Sequence, residues 1–154
     1  MKTLAVLALI TFCYAGYNLF IKVSMSHAES TAISPIIATI CLQASALAVS
    51  ILYLLSLVRD SVALADLPFR AYAWAIGAGI CIGIAEILYF YLFRGFAGEA
   101  KIEASTAIPF IVGGTIVIAV VVSVFLFCES LSPIQWIGTA LALAGMLVLA
   151  ASSA

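Results

Sequence analysis

Five apolar runs occupy nearly the whole sequence, at about 3 to 23, 35 to 58, 71 to 93, 104 to 128 and 133 to 152. Each is close to the roughly 20 residues that an α-helix needs to cross a hydrocarbon core ~30 Å thick. The spacing predicts an all-α membrane protein of five transmembrane helices, with no loop long enough for a soluble domain. Composition agrees: 66% of the 154 residues are hydrophobic and 8% are charged, where soluble domains carry about a quarter charged residues. A net charge of -1 and a single His provide no basic patch, so nucleic acid is excluded as a partner. The expected setting is the lipid bilayer of the cell (inner) membrane, crossed several times.

The runs are punctuated as helices are. Ser34-Pro35 and Ser132-Pro133 each set an N-cap residue before Pro at the first helical position, and Ser132 with Gln135 matches a capping box. The first run opens like a secretory signal peptide, "MKTLAVLALITFCYA". Its continuation through "GYNLFI" to a full crossing, and the bulky Phe12 before Cys13, predict a retained helix instead. Cys13, Cys41, Cys81 and Cys128 have no CxxC spacing and read as small packing residues, with neither a disulfide framework nor a metal site.

From Tyr91 onward, "YLFRGFAGEAKIEASTAIPFIVGGTIVIAVVVSVFLFCESLSPIQWIGTALALAGMLVLA" has Pro109 early in the fourth helix and Glu129 closing it. Leu131, Ser132, Gln135, Gly138 and Gly145 then open and line the fifth. This segment resembles the second part of an EamA-like domain of the drug/metabolite transporter superfamily. The first run, "YAGYNLFIKVS", resembles that family's first helix in Gly16, Asn18, Phe20 and Lys22. The resemblance covers nearly the whole chain and implies one EamA-like half-transporter unit. Ten-helix members of the family contain two such units in inverted orientation, which implies a small secondary transporter completed by a second molecule. Glu86 stands outside the family's pattern.

Small residues show where helices can meet, because close backbone approach drives association between lipid-facing helices. Gly79 and Gly83 form a GxxxG with Glu86 three residues further on, and Gly138, Ala142 and Gly145 make a second stripe. Pro109 removes a backbone hydrogen bond just before Gly113-Gly114. Either the freed carbonyls line a cavity, or the kink is a packing device whose carbonyls are met by Ser105, Thr106 or water.

Five crossings put the two ends of the chain on opposite sides. Lys2, Arg59 and Arg70 then face Lys22, Arg94 and Lys101, three against three, which leaves the positive-inside rule almost nothing to act on. Such balance fits an antiparallel homodimer, and it fits equally a membrane hetero-partner or loops under no orientational pressure.

Glu86 is the one carboxylate in "GICIGIAEILYFYLF". It lies four residues from the centre of its run, roughly 6 Å from the midplane at ~1.5 Å per residue. A charge there costs a few kcal/mol unless it is paired, hydrated or protonated. Either Glu86 is a neutral acid bonded through Asn18 or Gln43, or it exchanges a proton or cation. With Tyr14, Asn18, Gln43 and Tyr89 it forms a candidate site for a proton or a small-molecule solute, flanked by Phe90 and Phe93. For Tyr14, Asn18 and Gln43 the alternative is interhelical hydrogen bonding, and for the aromatics packing or an interfacial belt. Lys22 and Arg94 are expected to snorkel to the headgroups. No Ser/His, Cys/His or metal-ligand grouping is present and His27 has no partner, so neither an enzyme nor a cofactor is expected. The remaining alternative to a transporter is a non-transporting membrane subunit packed against a larger complex.

Overall fold

The computed structural model describes residues 2–29, 31–60, 67–95 and 102–152. They form five helices, α1 (Lys2–His27), α2 (Ser34–Arg59), α3 (Phe69–Arg94), α4 (Ala104–Phe125) and α5 (Pro133–Ser152), with no strand among the described residues. Four of these, α1 to α4, are long and apolar enough to cross a membrane, and the apolar stretch of α5 is Pro133–Leu149. The chain is all-α, with its helices where the apolar runs predict them. Asp66, Glu99, Lys101 and the side chain of Lys2 lie outside the described residues.

The helix ends depart from expectation for local reasons. His27, Arg59 and Arg94 stand in the last turns of α1, α2 and α3, where a cation complements the exposed carbonyls, and these helices run on to include them. Ser34 is not the cap of α2: the helix begins at Ser34, with Ile33 at the cap position. The Ser34 hydroxyl instead donates to the Glu29 carbonyl at 2.8 Å and shares a hydrogen bond with Thr31. At α5 the expected capping box is present, since the Ser132 amide donates to Gln135 at 2.7 Å and the Gln135 amide to the Ser132 hydroxyl at 3.4 Å. The α4 helix stops at Phe125 and does not reach Cys128. There the Ser123 hydroxyl donates to the Glu129 carboxylate, the Glu129 amide donates to the Ser123 carbonyl at 3.1 Å, and Cys128 takes φ 53° as the chain turns back.

Two compact units divide the chain, α1 to α3 in one and α4 with α5 in the other. In the first, α3 packs on both α1 and α2, which touch each other only sparingly. Its buried side chains include Asn18, Ile21 and Met25 of α1, Pro35 and Thr39 of α2, and Glu86, Tyr89, Phe90 and Phe93 of α3.

Only some of the small residues make close approaches. Gly83 meets Gln43 Nε2, which lies 3.3 Å from where a Cβ would stand. In the second unit a Cβ on Gly113 would lie 2.9 Å from Met146 Sδ and 3.0 Å from Met146 Cβ, so Gly113 is the seat of that side chain. Gly79, Gly138 and Gly145 face open space, contrary to the stripes read from the sequence. The α4 helix continues through Pro109, and the Ser105 hydroxyl turns to Glu103 at 3.3 Å.

Candidate functional site

Most hydroxyls in these apolar helices bond to their own backbone one turn back, which satisfies them without a neighbouring helix. Thr11 donates to Leu7, Thr39 to Pro35, Ser50 to Ala46 and Thr139 to Gln135, at 2.8 to 3.0 Å. Two hydrogen bonds depart from this pattern and join α1 to α3. Tyr17 donates to Glu86 Oε1, and Tyr89 donates to Asn18 Oδ1 at 2.8 Å.

Glu86 is only 3% exposed, and its Oε2 has no hydrogen-bond partner among the described residues. The carboxyl group is therefore tied at one oxygen and buried without a partner at the other. The sequence reading pairs it with Asn18 or Gln43; the structure pairs it with Tyr17. Asn18 is buried in the same cluster, but its amide donates to the Tyr14 carbonyl at 2.9 Å and its oxygen accepts from Tyr89. Gln43 is exposed on α2, against Gly83.

Tyr14 is 65% exposed and joins the cluster through its ring edge, 6.2 Å from the Tyr17 ring at 81°. The ring series continues from Tyr17 to Tyr89 at 6.5 Å and from Tyr89 to Phe93 at 4.9 Å. It ends on a cation, for Lys22 Nζ lies 5.3 Å from the centre of the Phe93 ring. Arg94 lies similarly over Tyr91, at 6.0 Å. Both cations expected to snorkel thus meet aromatic faces, an attraction of about 0.5 to 2 kcal/mol depending on exposure.

Tyr17 is the residue of the cluster that the sequence alone does not single out. Asn18 and Gln43 attract attention as amides, whereas a tyrosine in an apolar run counts as an aromatic. Its signal is chemical: a buried acid requires a donor on a neighbouring helix, and a phenol is one of the few donors that an apolar helix carries cheaply.

Beside this cluster, α1 and α2, with Phe90 of α3, border an open groove of about 850 Å³. Phe12, Tyr17 and Phe20 line it from α1, Cys41 and Ser45 from α2, and Phe90 from α3. Glu86 is not on its wall, but Tyr17 is, and Phe90 stands one helical turn beyond Glu86 on α3. Among the described residues no group of three or more His, Cys, Asp or Glu side chains is placed to hold a metal ion. Chemically the site offers one acid, two phenols and one amide in apolar surroundings, a set suited to holding a proton or a cation. Set against family models, curated proteins and solved structures, the chain matches none of them.

Proposed function

We propose that the chain is one five-helix unit of a small secondary carrier in the cell membrane, moving metabolites or drug-like solutes as a dimer of inverted units. The observation that carries this reading is Glu86, 3% exposed, bonded through one oxygen to Tyr17 and buried without a hydrogen-bond partner at the other. An ionisable group buried in an apolar helix is costly and is by default a functional group. With one oxygen free, Glu86 can take a proton or cation and release it without the cluster coming apart.

Three further features support the reading. The α5 helix has 20 residues, about 30 Å of helix, which suffices for a fifth crossing. Three cations on each side give no orientational bias, as suits two copies inserted in opposite senses. The resemblance to the EamA-like domain in Pro109, Glu129, Ser132 and Gln135 adds a transporter precedent for a single five-helix unit.

The test is a thermal-shift screen of metabolites and drug-like compounds in detergent, followed by flux of each hit in proteoliposomes, for native protein and Glu86→Gln. Glu86→Gln keeps the shape and removes the ionisable proton. The carrier reading expects a folded variant that loses pH-dependent flux. Equal flux across pH in both forms would reduce Glu86 to a structural bond. No hit, together with a larger complex co-purifying in fixed stoichiometry, would favour the membrane-subunit role.

A further inference from the structure

Glu86 and the groove are separated by one side chain. Tyr17 forms part of the groove wall and at the same time donates to Glu86 Oε1. One turn further along α3, Phe90 returns to the groove. An occupant seated against this part of the wall would touch the residue that ties down the acid. At about 850 Å³ the groove is within the size range of small-molecule sites, and its wall is aromatic and aliphatic with few polar groups.

We propose that this groove is the solute chamber of the carrier, that its ligand is an amphiphilic organic cation with a flat apolar body, and that Tyr17 is the latch between chamber and acid. The inference rests on the carrier reading and adds to it the place and class of the solute. Charge complementarity selects the class. Among the described residues the acid beside the groove is Glu86, behind Tyr17, which suits a solute with a cationic polar end, and the rings of Phe12, Phe20 and Phe90 favour an aromatic body. When the Tyr17 phenol swings off Glu86, both carboxylate oxygens become available to the cation. Tyr17 is a positioning residue in this scheme, and Glu86 binds.

The chain carries its own reporters. Cys13 and Cys41 line the groove, whereas Cys81 and Cys128 do not, and all four thiols are free and exposed. In detergent, 9-aminoacridine, a cation at neutral pH, is the probe, and acridine, largely neutral there, is its control. The expected result is binding of 9-aminoacridine at least tenfold tighter than acridine, with N-ethylmaleimide labelling of Cys13 and Cys41 slowed several-fold and that of Cys81 and Cys128 unchanged. Tyr17→Phe, which removes the bond the cation must break, should tighten binding by about fivefold, the equivalent of one modest hydrogen bond. Ser45→Phe, which fills the chamber from an exposed position, should weaken binding by tenfold or more.

Binding that leaves Cys13 and Cys41 labelled at the native rate would overturn the chamber while leaving the carrier reading intact. So would failure of these two thiols to react in the free protein, or their protection by self-association alone. Equal affinity for acridine, or no binding of 9-aminoacridine, would overturn the cation class. Glu86-dependent flux of another solute in proteoliposomes then shows separately whether the carrier reading survives.

Discussion

Tyr17 of α1 and Glu86 of α3, 69 residues apart in the chain, are joined by a hydrogen bond from phenol to carboxyl group. With the bond from Tyr89 to Asn18, it holds α1 against α3 by chemistry as well as by shape. A double-mutant cycle with Tyr17→Phe, Glu86→Met and the pair, read by unfolding in detergent and SDS, measures it. The expected coupling is about 0.6 kcal/mol, the average for interhelical hydrogen bonds in a membrane protein, and at most about 1.7 kcal/mol. Additive effects would mean that the bond contributes nothing to stability.

Gly113 is predicted to be the sensitive glycine of the α4 and α5 pair. A methyl group there would stand 3.0 Å from Met146 Cβ, which cannot move away without its helix. Gly113→Ala should therefore cost about 1 to 3 kcal/mol, as overpacking does, and Met146→Ala should restore part of it. Gly138→Ala and Gly145→Ala, which face open space, should lie within about 0.5 kcal/mol of the native chain or stabilise it. Equal sensitivity at all three glycines would contradict the packing described here.

These two sites mark how much the sequence discloses. Helix positions are legible because a run of membrane length can do little else, and the Ser132 and Gln135 cap is legible because both partners lie within one turn. Glu86 is legible as an anomaly, being the one acid in its run. Its partner is not, because Tyr17 is one of six tyrosines in the chain, and nothing in linear spacing says which helix α3 will meet. The glycines fail for the same reason: each apolar helix carries several small residues, and only the pairing of helices decides which of them are covered.

The capping box supplies a third expectation. Gln135→Ala removes the acceptor for the Ser132 amide and Ser132→Ala the acceptor for the Gln135 amide. Each should destabilise the start of α5 by about 0.5 to 2 kcal/mol, measured by unfolding or as faster amide exchange from Ile134 to Ile137. Unchanged exchange would show that the box adds nothing to the helix.

The fourth expectation concerns orientation and belongs to the proposed function. Reporters fused at the two ends of one molecule should report opposite sides of the membrane, and the population should contain both orientations. Adding two Lys between Asp60 and Asp66 should drive it toward one, read by labelling from each side. Signals from the same side in one molecule would reject five crossings, and one-sided labelling of the native chain would reject dual topology.

That α3 packs on both α1 and α2 while these two barely touch has a consequence for synthesis. A chain leaves the ribosome from its N-terminus, so its first helices emerge as a loose couple with little to bind one to the other. Cohesion arrives with the third helix, and so does the acid. By the time Glu86 leaves the exit tunnel, Tyr17 is already waiting, and the most expensive side chain in the unit need spend no interval in apolar surroundings without its donor.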